Sequence, residues 1–103
     1  MSDLQKQLQE MVDTAKWDWL EVHALKGRVV IVSPQLDLVE AGVAVAEDNS
    51  KLVKQWLDDS WLYAPTEAHI DRWNQERDKE FTSLIIHPFV LIKELPAELP
   101  QVI

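Results

Sequence analysis

The chain has 103 residues, the length of one domain, and its 47% hydrophobic and 27% charged content matches a globular composition rather than a disordered one. Eighteen acidic against ten basic residues leave a net charge of −8, which argues against nucleic acid and membrane surfaces as partners because no basic patch offsets it. The absence of cysteine excludes disulfides, thiolate catalysis and cysteine-ligated zinc or iron–sulfur sites.

From the N-terminus, Leu4, Leu8, Met11, Val12 and Ala15 recur at helical spacing, with Ser2 or Asp3 as N-cap. The polar face of this helix is not basic, so its apolar stripe is expected against the domain or a second copy rather than a membrane. Asp18 and Glu21, with Trp17 and Val22 as a hydrophobic staple, predict a short second helix with Trp19, Leu20, His23 and Ala24 on its inner side and Gly27 as its stop. Arg28 to Val32 then reads as a strand that is apolar on both faces.

Asp37, with Glu40 three residues on, opens a third helix whose Ala41, Gly42, Ala44 and Ala46 admit close approach of another backbone. Glu47 to Ser50 interrupt it with capping residues before a further helix carrying Val53, Trp56 and Leu57. Trp61 to Tyr63 suit a short edge strand, and Thr66 caps a helix with Ile70 and Trp73 inward. Glu76 to Glu80 alternate in charge, as a solvated helix end and loop do.

Ser83 to Glu94, the longest apolar run, is expected to form the heart of the sheet. Simple alternation points Leu84, Ile86, Val90 and Ile92 one way and Ile85, Phe89 and Leu91 the other. Pro88 breaks the run with a bend, a bulge or a tight turn at His87-Pro88, with a cis bond among the options. The last residues, Leu95 to Ile103, hold two prolines and are expected as a surface tail.

The residue pattern specifies no reaction. Five tryptophans, Trp17, Trp19, Trp56, Trp61 and Trp73, fit core and margin packing, and Trp61 is the candidate for an exposed interaction surface because it lies off any helical stripe. His23, His69 and His87 lack metal-ligand spacing, and His87 sits in an apolar run where a structural role is expected. The candidate ligand or metal site is a crevice joining His23 with Asp37 and Asp48, since helix starts near strand ends often face a common crevice. Adjacent pairs such as Glu47-Asp48 and Asp58-Asp59 diverge on a helix, and two glycines allow no phosphate loop.

The ordered segments WDWLEVHALKGRVVIV, PQLDLVEAGVAVAEDN, QWL, APTEAHIDRWN and LIIHPFVLIKE together resemble the small bacterial proteins of the domain of unknown function 2288 family, from about Leu4 to Glu94. The resemblance implies a compact bacterial cytoplasmic protein and brings no activity, cofactor or catalytic residue with it. No run nears the roughly 18 apolar residues of a membrane span, and no signal-peptide pattern opens the chain, in keeping with a cytoplasmic location.

The combined expectation is a single α+β domain of residues 1–103 with its core at 3–94, a two- to four-stranded sheet under four or five helices. Its expected role is a non-enzymatic interaction or regulatory module, with a second copy or an unknown protein as partner and no cofactor. The alternative is a ligand- or metal-binding protein using the crevice at His23, Asp37 and Asp48.

Overall fold

Among the described residues ten elements follow one another: α1 (Asp3–Met11), β1 (Asp13–Lys16), α2 (Trp17–Leu25), β2 (Val29–Val32), α3 (Leu38–Ala46), α4 (Ser50–Asp58), β3 (Leu62–Tyr63), α5 (Glu67–Asn74), β4 (Glu80–Ile86) and β5 (Phe89–Glu94). The computed structural model describes residues 3–94, so the tail at 95–103 and the capping role considered for Ser2 lie outside the described residues. The fold is α+β, with one sheet in the order β1-β4-β5-β2-β3. β5 and β2 run parallel and the other neighbours antiparallel.

Five strands replace the expected two to four because β1 carries no strand signal of its own. Asp13, Thr14 and Lys16 are exposed, and Val12 and Ala15 continue the apolar spacing of α1. It is a strand through its partner: Asp13 to Lys16 pair with Ser83 to Glu80, and the Ser83 hydroxyl donates to the Asp13 carbonyl at 3.2 Å.

The three middle strands bury both faces. β4 and β5 form a hairpin whose turn holds a cis His87-Pro88 bond, with Ile86 opposite Phe89, Ile85 opposite Val90 and Leu84 opposite Leu91. Directly opposed residues share a face, so the alternation restarts across the turn. Leu84, Ile86 and Leu91 therefore join one core, while Ile85, Val90 and Ile92 join the other. The expected grouping of Val90 and Ile92 with Leu84 and Ile86 carried a period of two through a turn that resets it. His87 stands exposed at the tip rather than among apolar side chains.

Helices α1, α3 and α4 cover the first face. At Gly42 α3 packs tightly on the sheet: a Cβ there would lie 2.5 Å from Leu84 Cδ2 and 3.4 Å from Leu8 Cδ1 of α1. The second face lies under α2 and α5 and has an aromatic centre. Trp17, Trp73 and Phe81 are fully buried, with Trp73 edge-on to Trp17 at 5.1 Å and to Phe81 at 4.8 Å. Trp17 Nε1 donates to Asn74 Oδ1 at 2.8 Å.

Caps set the helix starts. Asp37 Oδ2 accepts from the Glu40 amide, and Asn49 Oδ1 accepts from the Leu52 amide. Thr66 and His69 form a reciprocal box in which His69 Nδ1 accepts the Thr66 amide hydrogen at 3.0 Å. α2 departs from expectation: it begins at Trp17, and Asp18 is not its cap. Its free amides are met by backbone instead, Trp17 donating to the Lys79 carbonyl and Asp18 to the Arg77 carbonyl. At its other end Gly27, at φ 72°, closes a Schellman motif in which Gly27 donates to Ala24 and Arg28 to His23.

Two stability changes follow. Gly42→Val overpacks the α3 contact with buried Leu84 and is expected to cost about 2 kcal/mol or more in urea unfolding. Thr66→Ala, which removes one cap of α5, is expected to cost about 1 kcal/mol in the same measurement.

Candidate functional site

The crevice expected from His23, Asp37 and Asp48 does not form. His23 lies on α2 and Asp37 caps α3, and these helices pack on opposite faces of the sheet. Asp37 and Asp48 stand at the two ends of α3, about 16 Å apart at 1.5 Å per residue, and open onto different clefts. The His23 ring is half-buried beside Trp19, with 4.5 Å between centroids. Among the described residues no three His, Cys, Asp or Glu side chains come together to hold a metal ion.

Trp61, expected as an exposed aromatic, is instead partly buried against the first core. Its amide donates to the Trp56 carbonyl and its carbonyl accepts from the Ser33 amide, which ties the bend between α4 and β3 to the end of β2. The exposed tryptophan is Trp19, at 47%. Of the expected inner side of α2, Leu20 is fully buried, Ala24 packs on the second core and His23 is half-buried, while Trp19 is exposed and Trp17 is buried instead.

α2 thus has two apolar sides. Six of its nine residues, WDWLEVHAL, are apolar and fall on more than one side, whereas a helix seated on a sheet ordinarily carries one apolar stripe. Here Trp17 and Leu20 seat it on the sheet, while Trp19, Val22 at 53% and Leu25 at 69% face solvent. This sequence signal, apolar residues spread over more than one side of the helix, was available to find the face. Arg77 anchors the N-terminal end from the loop before β4, bonded to Asp18 at 2.9 Å and to Glu21. The hydrogen bonds that it donates, first to Glu21 and then to Asp18, raise the pKa of its guanidinium further. Exposed Lys26 and Arg28 mark the other end. Next to Trp19 a cleft of about 460 Å³ opens between α2 and the β1–β4 corner, lined by Asp13, Ala15, Lys16, Asp18, Trp19 and Ile85 among others.

A second concavity lies on the other face. It measures about 430 Å³ beneath the α3–α4 corner and is lined by Val30, Ala44, Val45, Val53, Leu62 and Leu91. Leu57 and Phe89, 51% and 39% exposed, also line it, as do the polar residues Asp48, Asn49, Ser50 and Lys54. Apolar walls with few polar groups suit an uncharged organic molecule better than acid–base chemistry.

A mixed five-stranded sheet between a three-helix and a two-helix layer defines the class of fold. The chain belongs to the family described as Protein of unknown function (DUF2288), whose model matches residues 3–94. It is similar to the solution structure of PA1075 from Pseudomonas aeruginosa, with a TM-score of 0.78 at 26% identity over 99% of this chain and 94% of that one. No curated protein matches it. No helix among the described residues is long and apolar enough to cross a membrane.

Arg77→Ala removes the ionic anchor between the loop and α2. The expected result is a small loss of stability that shrinks further as salt rises, read from urea unfolding at low and high sodium chloride.

Proposed function

We propose that the protein is a single-domain, non-enzymatic interaction or regulatory module of the bacterial cytoplasm that acts through the outer face of α2. One observation carries this reading: three large apolar side chains, Trp19, Val22 and Leu25, stand in solvent on a helix seated by fully buried Trp17 and Leu20. A seated helix presents such a face at little ordering cost, and tryptophan is enriched among the residues that dominate binding energy. Because all three side chains are exposed, replacing them changes the surface and spares the core. The test uses the full chain as bait in a bacterial lysate, with Trp19→Ala/Val22→Glu as control. A bound protein lost with the double variant, at unchanged melting temperature, is expected; equal capture by both baits contradicts the reading.

The cleft beneath the α3–α4 corner favours a second reading, a site for a small apolar ligand that retains Asp48 at its margin but neither His23 nor Asp37. N-phenyl-1-naphthylamine, an uncharged fluorescent probe, is expected to bind there and to be displaced by Val53→Trp, which fills the cleft. Probe fluorescence that ignores this substitution contradicts the ligand reading.

A further inference from the structure

We infer that the outer face of α2 docks on the same face of a second copy of the chain, antiparallel about a two-fold axis at Val22. This assignment of the partner rests on the reading of α2 as the working surface. At about 100° per residue, Asp18, Val22 and Lys26 lie within about 40° of one line along the helix, with Trp19 and Leu25 flanking Val22 on either side. Asp18 and Lys26 are each four residues from Val22, and Trp19 and Leu25 each three. Reversing the helix about Val22 therefore brings the partner's Leu25 and the partner's Lys26 to the level of Trp19 and Asp18.

Charge selects this orientation. Asp13 and Asp18 line the cleft at the N-terminal end of α2, whereas exposed Lys26 and Arg28 occupy the C-terminal end without an ion pair among the described residues. Among the described residues Lys16 is the one basic side chain lining that cleft, and Arg77 nearby is already engaged by Asp18 and Glu21. An antiparallel pair sets acidic ends against basic ends twice, while a parallel pair opposes like charges. Lys26 of each copy also arrives beside an exposed indole, where a cation–π contact is favourable.

Leu25 is the most exposed of the large apolar side chains among the described residues. The two-fold sets each Leu25 at the level of the other copy's Trp19, on the Asp18 side of Val22, and such an isologous contact closes at two chains. A nine-residue helix makes a small interface, so the dimer is expected to be weak, with a dissociation constant of about micromolar order.

The test is sedimentation equilibrium of the full chain from about 1 to about 500 μM, a range that brackets that constant. A reversible dimer is expected. Val22→Glu, which sets two carboxylates at the axis, and Lys26→Glu are each expected to weaken it at least tenfold with unchanged circular dichroism. Leu57→Glu, on the other face, is expected to leave it intact. A strict monomer, or a dimer that ignores both α2 substitutions, overturns the assignment. A monomer that still captures a protein through α2 overturns the second copy and leaves the interaction reading standing; a monomer without α2-dependent capture removes both.

Discussion

The structure depends on a sheet whose middle strands are apolar on both sides. Leu84 and Leu91 point into one core, and Val90, Ile92, Val29 and Ile31 into the other. At roughly 25 cal/mol per Å² of apolar surface removed from water, leaving either side bare would forfeit a large part of the stability of so small a protein. Helices must therefore cover both faces, and the ninety or so described residues are divided between two thin layers.

The layers solve the problem differently. On one side small residues let α3 approach until Gly42 touches Leu84, and α1 and α4 pack around it. On the other, two helices suffice because Trp17, Trp73 and Phe81 fill volume that a third helix would otherwise occupy. That economy leaves the β1–β4 corner beside Trp19 open and leaves α2 with one apolar side inward and another outward. The proposed dimer follows from the same constraint: the chain covers its sheet, and a second copy covers the helix.

Features set by neighbours in sequence were legible in it. The starts of α3, α4 and α5 are marked by Asp37, Asn49 and Thr66, whose oxygens reach amides three residues on. Gly27 marks a stop because its φ of 72° suits a residue without Cβ. Features set by distant partners were not. β1 exists through Ser83 and its neighbours, and the start of α2 is satisfied by the carbonyls of Arg77 and Lys79, some sixty residues away. With that remote cap α2 starts at Trp17, which is buried while Trp19 faces out, and Trp61 is partly buried because its backbone bonds tie it to Trp56 and Ser33. The crevice at His23, Asp37 and Asp48 failed for a related reason: chain order does not tell which face of a sheet a helix covers.

The reading of α2 as a surface built to be covered is tested most directly by isotope-filtered nuclear Overhauser spectroscopy on an equimolar mixture of labelled and unlabelled chain. It detects only contacts between copies. Cross-peaks are expected from the Val22 methyls of one copy to those of the other, and from the Trp19 indole to the partner's Lys26 side chain. Cross-peaks confined to Leu57 and Phe89, or none at concentrations where the dimer should be populated, would contradict it.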